Sequence, residues 1–329
     1  MLLMNKDKKN LLVTLADSNF IDQAKQLFSS VYFNSGWEGD YLLLTSGLAD
    51  KDALWFKEKG ILVYDGPVLS REKIGLKKYP AIVLTKFFLF KEYFKSWSTI
   101  IFLDADIIVK SSLDNLLAST DFSAPRATFK LKEEFAKDGP VMSKLKDNYS
   151  LLEDAFNSGV FVFNTDLIKT DTFAKIISLY DEYGRLNVYG EEATLNLFFY
   201  RNWKILPPIY NFAPSYMGRY YGIKKNKVRA IIIHFICEKF KPWNEKSLYY
   251  NEWSDNLKKA ENINLNNRPK GTRLFKEREQ VAYLRFLKLR KVFYVLPNLI
   301  DRYIGLVGLV IKKINPKLYK LIRFKKDEK

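Results

Sequence analysis

Hydrophobic positions in the first hundred residues come as short apolar runs separated by amphipathic stretches. Leu11-Leu12-Val13-Thr14-Leu15 reads as a buried strand, and polar Ala16-Asp17-Ser18-Asn19 leads into a helix near Ile21–Phe33. Tyr41–Thr45 reads as a second strand, Leu48–Lys59 as a helix and Ile61–Tyr64 as a third strand. In Ala81–Tyr93 apolar residues recur every three to four positions, the helical spacing. Thr99-Ile100-Ile101-Phe102-Leu103 is the strongest buried-strand run, and it ends on Asp104-Ala105-Asp106. Further on, Phe156–Phe163 and Ala230–Phe235 have strand character, and Ala193–Tyr200 reads as a helix with Glu191 and Glu192 at its N-terminus. Strands alternating with helices predict an α/β fold with a mainly parallel central sheet covered on both faces. Ligands of such sheets lie beyond the carboxyl ends of the strands, where Asp104 and Asp106 fall.

Composition narrows the function classes. With 329 residues, 47% of them hydrophobic, the chain can bury a large core, which excludes disordered and collagen-like classes. A single cysteine, Cys237, excludes a disulfide framework, and a single histidine, His234, excludes a multi-histidine metal site. The net charge of +17 calls for an anionic partner. Its distribution is uneven: Leu257 to Lys329 holds 20 Lys and Arg against 6 Asp and Glu, or +14. The expected organisation is therefore a domain over 1–256 followed by a basic, aromatic-rich helical extension over 257–329.

In the extension, Arg285, Lys288, Arg290 and Lys291 interleave with Leu284, Phe286, Leu287, Leu289, Val292, Phe293 and Tyr294. Past Tyr303–Ile311 follow Lys312, Lys313, Lys317, Lys320, Arg323, Lys325 and Lys326. That pattern suits an interfacial helix on an anionic membrane. A basic solvated cap is the plainer alternative, and no motif for reading nucleic acid is present. Met1–Asn10 is too polar for a signal peptide. Val292–Ile311 is interrupted by Pro297, Asn298, Asp301 and Arg302, so a spanning helix is not expected. The expected location is cytoplasmic, peripheral on the inner face of the membrane.

Several residues carry chemistry. Residues i and i+2 at a strand end point to one side, so Asp104 and Asp106 can converge on one divalent cation. The alternative is a solvated strand end with a helix cap. His234 closes Ile231-Ile232-Ile233 and reads either as a hydrogen-bonded core residue or as a third ligand. Two carboxylates and an imidazole would leave positions on Mn²⁺ or Mg²⁺ open for a diphosphate, which Lys241 in Lys241-Pro242-Trp243 could anchor.

The stretch Leu84-Thr85-Lys86 through Phe102-Leu103-Asp104-Ala105-Asp106-Ile107-Ile108-Val109 closely resembles retaining glycosyltransferases of family 8. Thr14–Phe20, Phe156-Asn157-Ser158-Gly159-Val160, Glu191–Asn196 and His234–Trp243 match in the same order. The resemblance implies a GT-A nucleotide-sugar-binding fold, a UDP-sugar donor and Mn²⁺. It assigns Leu15, Ala16, Asp17 and Asn19 to the loop holding uridine, with Phe20 where the family often has a stacking Tyr. Lys86 becomes a donor contact; Asp104, Asp106 and His234 become metal ligands, with Ala105 beside the ribose. Asn157, Ser158 and Gly159 line the donor hexose, and Lys241 meets the leaving diphosphate.

Two positions depart from the family pattern. Glu191-Glu192 replaces the usual Asp-Gln, which sets a carboxylate where the family has a neutral amide and makes a covalent glycosyl-enzyme on Glu192 chemically available. The alternative is two acids favoured by a helix N-terminus. The loop after His234 carries one extra residue, so Lys239 competes with Lys241 for the phosphate role. The expected function is transfer of a hexose from a UDP-sugar to a glycan or lipid-linked acceptor in cell-envelope synthesis. Alternatives are a self-glycosylating enzyme of the glycogenin type, a sugar nucleotidyltransferase, and a degenerate membrane-surface binding protein. Oligomeric state is not legible.

Overall fold

The computed structural model describes residues 8–136, 140–276, 278–293 and 313. The chain forms two compact units, one built from residues up to 214 together with 229–274, the other from 215–228 and residues from 275 onward.

The first unit is an α/β layer structure. Its elements run β1 (Leu11–Leu15), α1 (Ile21–Ser35), β2 (Asp40–Thr45), α2 (Asp50–Glu58), β3 (Leu62–Asp65), β4 (Thr99–Leu103), β5 (Ile107–Val109) and β6 (Ser123–Lys130). There follow α3 (Pro140–Asn148), β7 (Asp154–Phe156), β8 (Val160–Asn164), α4 (Thr172–Tyr183), α5 (Glu192–Phe198), β9 (Lys204–Leu206), β10 (Ile232–His234) and α6 (Tyr250–Lys259). The sheet runs β3-β2-β1-β4-β8-β6-β7, with β9 also on β6, and β5 and β10 form a separate antiparallel pair. The half from β3 to β4 is parallel; β8 enters antiparallel to β4. The expectation of a mainly parallel sheet thus holds for the half that the N-terminal sequence builds.

Apolar runs explain the centre of the sheet. β1 and β4 are buried at every position, because both of their faces are covered. Leu11, Val13 and Leu15 face an aromatic cluster that includes Phe87, Phe90, Phe102, Phe122, Phe161 and Phe163. Phe102 stacks on Phe161 at 4.8 Å and Phe122 on Phe199 at 3.8 Å. Such pairs add to the stabilisation that burial of the rings gives by itself.

Two segments differ from the sequence pattern. Ala81–Phe90 and Glu92–Ser96 are 3₁₀ rather than α-helical. The β-branched Ile82, Val83 and Thr85 and the aromatic Phe87, Phe88 and Phe90 lose rotamer freedom in an α-helix. Leu84 through Phe90 are all buried, so the segment follows the space around it rather than a single apolar stripe. Phe156–Phe163 is not one strand: it breaks at Asn157-Ser158-Gly159, between β7 and β8. There the side chains of Asn157 and Ser158 turn toward α5 and meet Glu192.

After α6 the chain returns to α1. The Tyr32 hydroxyl donates to Asn264 and Asn267 carbonyls, and Arg268 donates to those of Trp37 and Gly39. α1 ends on Gly36 with φ 67°, and a Cβ there would meet the Gly271 nitrogen at 2.6 Å. Only glycine satisfies both the left-handed backbone and that close approach.

The second unit contains a short π-helical turn, Met217–Tyr221, and a helix α7 over 278–293. Arg290 donates to the Tyr221 and Gly222 carbonyls and so caps the turn. α7 buries Tyr283 and Leu287 but leaves Val281, Leu289, Val292 and Phe293 exposed beside Arg285, Lys288 and Lys291. No helix among the described residues is long and apolar enough to cross a membrane. Tyr294, the greater part of Val292–Ile311 and, Lys313 apart, the basic run that follows lie outside the described residues.

Candidate active site

Strand register assembles the site. β1 and β4 pair in parallel from Leu11↔Ile100, and the Thr14 hydroxyl donates to the Leu103 carbonyl at 2.7 Å, so both strands end at one edge. Beyond that edge lie Ala16-Asp17 and Asp104-Ala105-Asp106. β8 pairs with β4 as Leu103↔Val160, and the Asp104 amide donates to the Gly159 carbonyl at 2.8 Å. β10 pairs with β5 as His234↔Ile107, and the Phe235 amide donates to the Asp106 carbonyl at 3.1 Å. Three ladders thus bring residues 104, 106, 159 and 234 together.

The ligand atoms of Asp104, Asp106 and His234 lie within 4.8 Å of one another. His234 Nε2 is 3.2 Å from Asp106 Oδ1 and 3.9 Å from Asp104 Oδ2. The other ring nitrogen, Nδ1, meets Asn211 Oδ1 at 2.7 Å. An amide oxygen can only accept, so Nδ1 donates to it and Nε2 is the ring nitrogen that faces the carboxylates. An imidazole oriented in this way beside two hard oxygen donors fits a divalent cation such as Mn²⁺ or Mg²⁺.

Gly159 is part of this geometry. A Cβ there would lie 2.3 Å from His234 Cε1 and 2.7 Å from Asp104 Oδ2. The absence of a side chain at Gly159 therefore makes room for those of Asp104 and His234.

Two lysines balance the acids. Lys241 Nζ contacts Asp106 Oδ2 at 2.6 Å and lies 5.5 Å from the Trp243 ring centre. Burial would push the Asp106 carboxyl up, but His234 and Lys241 outweigh it and hold the group well below the ordinary carboxylate range. Lys239 is exposed and lies over the Phe240 ring, so Lys241 is the lysine that reaches the acids. Lys86, buried in the 3₁₀ segment, bridges Asp104 Oδ1 at 2.9 Å and Glu191 Oε1 at 2.6 Å. Burial opposes its charge, yet these two acids overcome that and keep the ammonium protonated.

A hydrogen-bonded chain runs from the histidine to the two glutamates. Asn211 Nδ2 donates to Asn157 Oδ1 at 3.2 Å, and Asn157 Nδ2 donates to Glu192 Oε2 at 2.9 Å. The Ser158 amide donates to the same oxygen at 2.7 Å, and its hydroxyl reaches Glu192 Oε2 and Glu191 Oε1. Asn196 braces α5 against β7 through the backbone of Phe156. Burial is the main influence on Glu192 and raises its carboxyl, against the pull of the Ser158 amide.

The loop after β1 lies at the same edge. Asp17 Oδ1 accepts the Asn19 amide at 2.9 Å, and half-exposed Phe20 meets Trp243 edge-on at 6.1 Å. Leu15 and Ala16 are buried, as is Ala105. Asn211 was not singled out from the sequence, although a polar residue inside Ile209-Tyr210-Asn211-Phe212-Ala213 is the pattern that could have exposed it.

The sequence profile of glycosyl transferase family 8 matches residues 52–247, more than half of the chain. The chain belongs to that family. This family 8 glycosyltransferase is 27% identical over 212 residues to GlyB of Streptococcus pneumoniae, covering 58% of this chain and 47% of GlyB. It is 33% identical over 157 residues to human glycogenin-2, covering 46% of this chain and 26% of that protein. The chain thus spans less than half the length of either relative. Among solved structures it resembles an active-site mutant of LgtC carrying Gln→Glu, with TM-score 0.60 and 18% identity over 75% of this chain and 94% of LgtC. It also resembles the bifunctional glycosyltransferase WbbM, with TM-score 0.58 and 18% identity over 80% of this chain and 53% of WbbM. These likenesses establish the GT-A-like fold.

Proposed function

We propose that this family 8 enzyme is a metal-dependent retaining hexosyltransferase. It takes a hexose from a UDP-sugar and joins it to a hydroxyl of a glycan or lipid-linked acceptor in cell-envelope synthesis. The observation that carries this reading is His234, fixed by Asn211 so that Nε2 faces the carboxylates of Asp104 and Asp106. A Mn²⁺ or Mg²⁺ held there supplies charge neutralisation for a departing diphosphate.

In this reading Leu15, Ala16, Asp17, Asn19 and Phe20 receive the uridine, and Ala105 lies beside the ribose. Asn157, Ser158 and Gly159 line the hexose. Lys241, now paired with Asp106, turns to the diphosphate as a point charge. Lys86 keeps Asp104 and Glu191 fixed. Glu191 meets sugar or acceptor hydroxyls, and Glu192 lies below the anomeric carbon. The bond from that carbon to the diphosphate oxygen breaks, the bond to the acceptor oxygen forms, and the acceptor proton passes to the leaving diphosphate. Glu192 stabilises the positive charge on the sugar, or displaces the diphosphate to form a glycosyl ester whose bond to carbon then breaks as the acceptor oxygen displaces Glu192; either route returns the original configuration.

Incubation of the full chain with UDP-glucose, UDP-galactose and their N-acetyl forms tests this. Mn²⁺-dependent release of UDP from one hexose donor is expected, lost on chelation and regained on adding Mn²⁺. Absence of release from every donor with either metal defeats the reading.

We also propose that the basic extension, from 275 onward, rests on an anionic membrane. Exposed Leu289, Val292 and Phe293 beside Arg285, Lys288 and Lys291 support this. The full chain is expected to sediment with phosphatidylglycerol vesicles and a chain ending near Leu284 to stay in the supernatant. Equal binding by both counts against the anchor.

A further inference from the structure

Glu134 closes a 3₁₀ turn, Leu131–Glu134, and its carbonyl accepts the Val188 amide at 2.7 Å. That bond and the bridge between Phe135 and Asn187 hold the turn against the segment leading to Glu191 and Glu192. The Glu134 side chain is fully buried, and no N–H or O–H donor among the described residues reaches either of its carboxylate oxygens. The turn packs on the start of α5, Leu131 lying in one apolar cluster with Ala193 and Leu197, and this sets the Glu192 carboxylate against that of Glu134.

Two carboxylates in contact away from water cannot both be ionised, because the repulsion is weakly screened and neither offers the other a donor. One proton turns the clash into an O–H···O⁻ hydrogen bond of the strong, charge-assisted kind. Glu192 already accepts Asn157 Nδ2, the Ser158 amide and the Ser158 hydroxyl, all on Oε2. Those donors favour its ionised form, whereas Glu134 has none. The proton therefore belongs on Glu134.

We propose that Glu134 is protonated at neutral pH and donates to Glu192, acting as a positioning residue that holds Glu192 as a fixed carboxylate. Its role in catalysis rests on the reading of Glu192 given above; its protonation does not. Burial first, and Glu192 next, push the Glu134 carboxyl well above the ordinary range. Glu191 and Lys77 also face it, the second pulling the other way. The Tyr79 hydroxyl faces the same acids and is itself pushed up to about 12, by burial first and then by Glu192 and Glu191. Lys86 acts on Glu192 from the opposite side.

Denaturant unfolding of the full chain from about pH 5 to about pH 9 reads the proton directly. The folded wild type retains a proton that the unfolded chain releases above the ordinary glutamic acid pKa. Its stability therefore falls with rising pH, by about tenfold in the folding equilibrium per pH unit until the site itself titrates. Glu134→Gln offers Glu192 an amide N–H with nothing to titrate, so it should gain on the wild type by that factor. Parallel pH profiles for the two proteins overturn the proposal. This comparison needs no sugar transfer, so it stands even where UDP release fails. Positioning is read in turnover: Glu134→Gln is expected to rescue kcat relative to Glu134→Leu, which has no donor, with similar KM for the donor sugar. Equal loss of kcat in both variants overturns the positioning role.

Discussion

Asp106→Asn is expected to lower metal-dependent UDP release by about 10³-fold, the scale set by removing one group that stabilises charge in a transition state. The substitution keeps the size and shape of the side chain but removes the charge. Asp106 serves two partners at once, with Oδ1 facing His234 Nε2 at 3.2 Å and Oδ2 bonded to Lys241 at 2.6 Å. An amide cannot accept from Lys241 and ligate a cation with equal strength through its single oxygen, so both functions weaken together. The loss corresponds to about 4 kcal/mol of activation free energy. Because His234 and Lys241 hold the Asp106 carboxyl far below the ordinary range, this residue contributes no acid limb to the rate above that range. Initial rates of UDP release at saturating Mn²⁺ check the first point, and the pH–rate profile checks the second. Undiminished turnover in the variant would remove Asp106 from the proposed metal site.

Gly159→Ala should have the second-largest effect, and for a different reason. The added methyl would fall 2.3 Å from His234 Cε1 and 2.7 Å from Asp104 Oδ2, distances that no real side chain tolerates. Something must move, and both neighbours are candidate ligands. Loss of at least about 10–100-fold in Mn²⁺ affinity is expected, the range seen when ligand orientation is disturbed. Gly159 lies between two well-formed strands, so the fold itself should survive and the far-ultraviolet dichroism should remain that of the wild type. Gly218 has open space where its Cβ would be and is the control position. Calorimetric titration with Mn²⁺ separates the outcomes: unchanged affinity in Gly159→Ala would show that the room left by Gly159 is not needed.

The sequence exposed the residues whose signal is local. Thr99–Leu103 is apolar throughout and ends on two acids, which by itself announces a buried strand with charge at its carboxyl end. The same logic found β1 and β2, because a strand covered on both faces must be apolar at every position. It failed at Ala81–Phe90, where near-complete burial erased the period that separates an α-helix from tighter turns. It failed again at Asn157-Ser158-Gly159, where a strand was read through three residues that lie against Glu192, Asp104 and His234.

Asn211 and Glu134 were missed for a related reason. Each acts through a partner distant in the chain, His234 and Glu192 respectively, and a lone Asn or a Glu among charged neighbours leaves no periodic trace. Glu134 stands in Lys132-Glu133-Glu134, which reads as a solvated face, yet it is fully buried.

By itself, then, the order of amino acids determined strands β1 to β4 and β10, the residue types at their carboxyl ends, and membership of a family whose blocks recur in order; β5, β6 and β9 were not read as strands. Tertiary structure alone decided which of these residues meet. The pairing of β8 with β4 and of β10 with β5 brings Gly159 and His234 to Asp104 and Asp106 across more than fifty and more than a hundred residues. Side-chain pattern says which face of a strand is buried, but which distant strand it joins is completed by backbone bonds that nearly all residue types make alike, so the pairing leaves no local trace.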